Sequence, residues 1–115
     1  MITKNKADFQ YGRIDIRAKL PKGQGIWPAI WMLSTENKFG GWPKSGEIDI
    51  MESVGHLPTT LYGTLHYGPK WPKNKHTGAD VQTERDMEKD FHVYSVEWEE
   101  NEIRWYLDDV LYSTK

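Results

Sequence analysis

Three carboxylates stand within six residues in the segment Glu47-Ile48-Asp49-Ile50-Met51-Glu52. The Ile and Met side chains between them favour a β-strand that has one face in a core. Carboxylates this close to one another repel and raise each other's pKa. Bond cleavage that is divided between a proton donor and a nucleophile requires such neighbours. The segment is therefore the first candidate for a catalytic site.

The spacing of these acids is irregular for a strand. Regular alternation places Glu47 and Asp49 on one face and turns Glu52 towards the core, where an unpaired carboxylate is costly. One extra residue, bulged at Met51, returns Glu52 to the face of the other two acids. We therefore predict a β-bulge at Met51. The carboxyl groups of Glu47 and Glu52 can then approach the roughly 5–5.5 Å separation of a retaining glycosidase.

The rest of the sequence is predicted to form mostly strands joined by loops. Residues 8–20 alternate apolar and charged side chains, which is typical of a strand with one wet face. Further strands are predicted over residues 26–33, 60–67 and 91–98, and a hairpin over residues 102–112 turns at Asp108-Asp109. Residues 68–90 are predicted to be a polar loop whose one helix candidate is Thr83 to Lys89. Many short strands joined by turns predict an all-β sandwich or barrel.

Length and charge exclude several classes of protein. The chain has 115 residues, which suffice for one domain, and a net charge of −2. No basic field points to nucleic acid or to an anionic membrane surface, and no apolar run is long enough to span a bilayer. The sequence has no Cys, so disulfides and thiolate sites are excluded. Three of the histidines, His56, His76 and His92, show no metal-ligand spacing.

The acidic segment resembles the signature of glycoside hydrolase family 16 in its bulged six-residue form, which is typical of laminarinases, the endo-β-1,3-glucanases. The five-residue form, without the Met, is typical of bacterial lichenases. Other segments resemble the family in its order and spacing over nearly the whole chain. They are Tyr11-Gly12-Arg13-Ile14, Arg17-Ala18-Lys19-Leu20-Pro21-Lys22-Gly23, Trp27-Pro28-Ala29-Ile30-Trp31-Met32-Leu33, Gly41-Trp42-Pro43, Phe91-His92-Val93-Tyr94 and Ile103-Arg104-Trp105-Tyr106-Leu107-Asp108. The resemblance implies a concanavalin-like β-jelly-roll sandwich.

The resemblance also implies a catalytic role for each acid. Glu47 is expected to be the nucleophile that attacks the anomeric carbon and forms a covalent glycosyl-enzyme. Glu52 is expected to be the general acid and then the general base for the incoming water. Asp49 is expected to assist by hydrogen bonding between them.

Three further residues match positions that the family places in or near its sugar cleft. Trp42, in a Gly-Gly-Trp-Pro loop just before the acids, is expected to be a sugar platform, with a place in the core as the alternative. Trp31 is expected to line the cleft, with core packing as the alternative. His66 is expected near the catalytic centre, and strand periodicity puts it on one face with Thr64, but a structural hydrogen bond is the alternative. Trp27 is assigned to the core or to the cleft edge.

Family members are considerably longer than this chain, so residues 1–115 are expected to be the central, truncated part of a catalytic domain. No counterpart is seen of the strands that precede Ile2 or follow Tyr112. The calcium site of many members uses residues near the ends of the domain, so we expect neither a metal site nor a cofactor here.

The expected function is retaining endo-hydrolysis of a laminarin-like β-1,3-glucan, with the polysaccharide as partner. An extracellular location is inferred from that polymer, although no signal peptide is visible at the first residues. Two alternatives stay open: cleavage of mixed-linkage glucan or a marine galactan by the same site, and a non-catalytic carbohydrate-binding or inert fragment. A pure binder has no need of Glu47 and Glu52 together.

Overall fold

Eight antiparallel strands in two four-stranded sheets form a β-sandwich, and the computed structural model describes all of residues 1–115. In chain order the strands are β1 (Gly12–Ala18), β2 (Ala29–Leu33), β3 (Glu47–Glu52), β4 (Thr60–Tyr67), β5 (Lys75–Gln82), β6 (His92–Trp98), β7 (Ile103–Leu107) and β8 (Val110–Thr114). One sheet has the order β1-β6-β7-β8 and the other β2-β3-β4-β5. None of the elements is a helix that could cross a membrane. The predicted all-β fold class is confirmed.

The core lies between the two sheets and is built from alternating side chains. In β1, Ile14 and Ile16 face inwards and pair across the ladder with Val96 and Tyr94 of β6. Alternation is what a strand with one wet face requires, because successive side chains point to opposite faces. The core cluster consists of eleven buried apolar residues: Leu20, Ile48, Ile50, Met51, Leu61, Met87, Tyr94, Val96, Ile103, Trp105 and Leu107.

The hairpin predicted over residues 102–112 is confirmed as β7 and β8. Asp108 and Asp109 form the turn between them with positive φ angles of 48° and 62°. Two consecutive left-handed residues are typical of the tight hairpin turn, and Asp tolerates that conformation better than most residues. Interpreting this Asp pair as turn chemistry was therefore correct.

The polar loop predicted over residues 68–90 is wrong in its middle part. Lys75–Gln82 forms β5, an edge strand that pairs along its whole length with β4. Its inward residues are small or modest in size, namely Thr77, Ala79 and Val81, and its other face is polar. This edge strand is held by backbone hydrogen bonds to its neighbour and does not need large apolar side chains. Its apolar pattern in the sequence is therefore weak.

The helix predicted from Thr83 to Lys89 is also wrong. This segment has bends and turns, and Met87 is fully buried in the core. The Met87 amide donates to the carbonyl of Pro58, and the Met87 carbonyl accepts from the amide of Leu20, at 3.1 and 2.9 Å. Because these backbone groups bond to distant segments, they are not available for a helical ladder.

The strand predicted over residues 26–33, a short apolar run that is consistent with a buried strand, is shorter and more exposed in the structure. Only Ala29–Leu33 is a strand, and its side chains alternate between exposed and half-buried. Trp31 and Leu33 lie on the exposed face, whereas Ile30 and Met32 pack against the core. A continuous apolar run does not distinguish a core strand from one whose outer face is also apolar.

Candidate active site

A β-bulge in β3 brings the three acids to one face, as predicted. Asp49 pairs with Thr64 of β4 and Glu52 pairs with Tyr62, so three steps along β3 correspond to two steps along β4. The extra residue also shifts the pairing with β2. Ile50 and Met51 are both buried, with 2% and 1% exposed, which is what two adjacent inward residues at a bulge require.

The outer face of this sheet forms a shallow cleft of about 190 Å³ around the acids. Its lining combines Glu47, Asp49 and Glu52 with Trp27, Ala29 and Trp31. The arrangement places charged oxygen atoms beside flat apolar surfaces. Such a surface suits sugars, whose rings present apolar faces with hydroxyl groups at the edge.

Two indole groups each hold one of the glutamates. Trp42 Nε1 donates a hydrogen bond to Glu47 Oε2, and Trp27 Nε1 donates to Glu52 Oε1 at 3.0 Å. Each bond restricts the rotamers of a carboxylate that is only half-buried. Trp27 is 70% exposed, so the cleft-edge alternative is correct for this residue and the core alternative is wrong.

Trp31 is half-exposed and lines the cleft, so core packing is not its role. Trp42 is also exposed, with 45% of its surface accessible, and its ring lies 6.1 Å from that of His66. The structure therefore brings Trp31, Trp42 and Trp27 to the same surface as the acids.

His66 lies beside the acids, at the β4 position that pairs with Glu47. Its Nε2 atom is 3.1 Å from Asp49 Oδ2, and its ring also contacts the ring of His76 at 5.7 Å between centroids. The predicted proximity of His66 to the acids is thus confirmed. Its Nδ1 atom is buried and has no hydrogen-bond partner.

Burial and charge act together on Asp49. This side chain is only 2% exposed, whereas the two glutamates are half-buried. Burial, together with the negative charges of Glu52 and Glu47, raises the pKa of Asp49 to about 8. Asp49 therefore holds a proton at neutral pH and can donate a hydrogen bond to a neighbouring carboxylate.

The sequence did not reveal how the opposite sheet supports the acidic strand. Trp105 of β7 is fully buried, and its Nε1 donates to the backbone carbonyl of Asp49 at 2.8 Å. The sequence offered one signal for this contact, namely that the N–H of a buried indole needs a hydrogen-bond acceptor. Its partner, 56 residues away in the chain, depends on how the sheets stack.

One group of side chains has the composition of a metal site. Atoms from Glu47, Asp49 and His66 that could each serve as a ligand lie within 4.8 Å of one another. Two oxygen donors and one imidazole nitrogen are ligands that Zn²⁺ accepts. The expectation of no metal site stays a prediction.

Comparison with known proteins relates the chain to one family over nearly its whole length. The sequence profile of glycosyl hydrolases family 16 matches residues 2–115. Glucan endo-1,3-beta-glucosidase A1 of Niallia circulans is 50% identical in an alignment of 108 positions that covers 92% of this chain and 16% of that protein. A beta-1,3-glucan-binding protein of Penaeus monodon is 44% identical in an alignment of 115 positions that covers 92% of this chain and 31% of that protein.

A solved structure gives the same result for the fold. The laminarinase of Rhodothermus marinus superimposes with a TM-score of 0.89 at 44% identity, over 97% of this chain and 45% of that one. The chain thus spans less than half the length of each of these relatives. The predicted jelly-roll sandwich is confirmed for the part that the chain covers.

Proposed function

Because the chain belongs to glycosyl hydrolase family 16, we propose that it carries the active site of a retaining endo-β-1,3-glucanase acting on laminarin-like polymers. The observation that carries the proposal is the bulge in β3, which puts Glu47, Asp49 and Glu52 on one face of a cleft lined by Trp residues. A strand that served only the core would have no reason to distort in order to keep Glu52 outside.

In this proposal the two glutamates divide a double displacement between them. The Glu47 carboxylate attacks the anomeric carbon while the Glu52 carboxylic acid protonates the departing glycosidic oxygen. Water then attacks the glycosyl–Glu47 ester, and Glu52, now ionised, takes the proton from that water. The second displacement restores the original configuration at the anomeric carbon and both side chains to their starting forms.

Asp49 acts on Glu47 in this scheme rather than on the sugar. Its raised pKa leaves it protonated at neutral pH, so it donates a hydrogen bond to Glu47 and favours the ionised nucleophile. A single proton shared by closely spaced carboxylates is how neighbouring acids avoid mutual repulsion. The indole of Trp42, which also donates to Glu47, supports the same ionised form.

The β-1,3-glucan substrate is proposed from the names of relatives, which include a glucan endo-1,3-beta-glucosidase and a laminarinase. Mixed-linkage glucan and galactans are the alternative substrates for the same pair of glutamates. Action on a polymer of this size also implies work outside the cell. Loops bordering the cleft select among such polymers.

A second candidate function is glucan binding without cleavage. One relative is named a beta-1,3-glucan-binding protein, and the exposed Trp27, Trp31 and Trp42 offer stacking surfaces in this chain. A binding module would use those surfaces but would not need the two glutamates.

The test measures the release of reducing ends from laminarin by the 115-residue chain. Glu47→Gln and Glu52→Gln are the matched variants, since both keep the size of the side chain and remove the ionisable group. We expect release by the parent and, in each variant, a loss of at least about a hundredfold. Unchanged affinity for laminarin in Glu47→Gln, together with no release by the parent, would favour the binding function. Release at equal rates by parent and variants would contradict both assignments.

A further inference from the structure

We propose that Glu47, Asp49 and His66 form a binding site for Zn²⁺ in the cleft. The site itself follows from the arrangement of these side chains. Its consequence, that bound Zn²⁺ blocks the nucleophile, rests on the proposed function. The inference departs from the sequence-based expectation that the chain has no metal site.

The three side chains come together because of the strand register. Glu47 of β3 and His66 of β4 are direct cross-strand partners, and Asp49 is two residues further along the same face of β3. One potential ligand atom from each lies within 4.8 Å of the others. Around a tetrahedral Zn²⁺ with bonds of about 2.0–2.2 Å, ligand atoms are roughly 3.3–3.5 Å apart. Small rotations of the half-buried Glu47 and His66 side chains therefore complete the site.

A second observation points into the same space. Asp49 is buried, and its Oδ2 atom accepts no hydrogen bond although His66 Nε2 lies only 3.1 Å away. A buried acceptor left without a donor costs free energy. A cation placed between Asp49 Oδ2 and His66 Nε2 would satisfy the oxygen and the ring nitrogen together. Trp42 occupies Oε2 of Glu47, which leaves the other oxygen of that carboxylate as a ligand.

The donor set selects the class of metal. Two carboxylates and one imidazole suit Zn²⁺, which forms stable sites with three protein ligands and an open fourth position for water. Calcium and magnesium prefer oxygen ligands, and the imidazole nitrogen of His66 favours Zn²⁺ over both. Binding of the ion displaces the proton that Asp49 holds at neutral pH, and the two carboxylates then balance the double positive charge of the ion.

The affinity should be moderate rather than high. Metal-bound histidines usually donate their second ring N–H to a carboxylate or carbonyl, and this second bond strengthens the site. His66 Nδ1 has no such partner. Zn²⁺ is therefore expected to act as a reversible ligand of the cleft and not as a permanent part of the fold.

The experiment is isothermal titration of the 115-residue chain with zinc chloride in a chelator-treated buffer without sugar. His66→Ala removes one ligand, and His76→Ala is the matched control, because His76 is exposed and its tilted ring lies beside that of His66 without joining the cluster. We expect one bound ion in the parent and a loss of at least about tenfold in affinity in His66→Ala, since even outer-shell changes cause that much. His76→Ala should stay within about twofold of the parent.

A second measurement keeps the test decisive if His66→Ala unfolds. In the nitrogen NMR spectrum of the parent, Zn²⁺ should shift the ring signals of His66 and leave those of His56 and His92 in place. Absence of binding, equal binding by His66→Ala, or equal losses in both His variants would overturn the proposal. Since no sugar is present, these results do not depend on whether the chain hydrolyses glucan.

Discussion

Replacing Trp105 with Phe tests how the opposite sheet supports the acidic strand β3. Trp105 is fully buried between the sheets, and its indole N–H donates to the carbonyl of Asp49 at 2.8 Å. Phe keeps a flat apolar ring but has no donor. The substitution therefore leaves the Asp49 carbonyl without this bond at the point where the register of β3 begins to shift.

The cost has two parts. A buried acceptor that loses its donor costs about 1–3 kcal/mol. Truncating a fully buried Trp to Ala costs about 3–5 kcal/mol, and Phe retains more than half of the side chain, so the cavity adds about 1–2 kcal/mol. The sum of about 2–5 kcal/mol is a large share of the 5–15 kcal/mol that stabilises a typical domain.

Urea unfolding of the 115-residue chain, followed by circular dichroism, measures this loss. The midpoint should fall by about 1–2.5 M in Trp105→Phe, for a dependence on urea of about 2 kcal/mol per M. The control is Trp27→Phe, which makes the same chemical change at a residue that is 70% exposed, and its stability should change by less than about 0.5 kcal/mol. Equal midpoints for the two variants would refute the claim that the bond between Trp105 and Asp49 supports the strand.

Three other predictions concern the cleft and the strand beneath it. The pKa of Asp49 is raised from 3.8 to about 8. Between these pH values the folded chain holds a proton that the unfolded chain releases, so the stability of the fold falls as the pH rises through this range. Asp49→Asn should flatten that fall in thermal unfolding curves, whereas parallel curves would argue against a raised pKa. Trp31→Ala should weaken laminarin binding by about fivefold or more without changing the unfolding midpoint appreciably, and a large loss of stability instead would show that Trp31 packs in the core. Met51→Ala should cost about 2–4 kcal/mol in chemical denaturation because Met51 is 1% exposed, and a change below about 1 kcal/mol would mean that the bulge does not bury it.

The acidic strand was predictable because its pattern is internally inconsistent without a bulge. Glu47, Asp49 and Glu52 can share a face only if one residue is inserted, and burying Glu52 is too costly for the regular alternative. The same logic of alternation gave β1, β4 and the hairpin of β7 and β8. In each of these cases the signal lies within one strand and needs no partner.

Features that depend on a partner could not be predicted in the same way. β5 is a strand because β4 supplies its hydrogen bonds, and Met87 enters the core because Leu20 and Pro58 bind the backbone on both of its sides. The bonds from Trp27 to Glu52 and from Trp105 to Asp49 likewise join residues that are distant in the chain. Such contacts follow from the stacking of sheets and loops, which a one-dimensional pattern does not contain.

The central claim is that Glu47 is a nucleophile, and covalent trapping tests it most directly. The chain is incubated with a 2-deoxy-2-fluoro β-1,3-linked glucosyl donor that carries a good leaving group, because fluorine at C2 slows the oxocarbenium-like step that releases the enzyme. Mass spectrometry of the intact chain should show one added glycosyl group, and peptide mapping should place it on Glu47. No adduct should form with Glu47→Gln. An adduct on Glu52 or elsewhere, or an unmodified parent that nevertheless releases reducing ends from laminarin, would contradict the account.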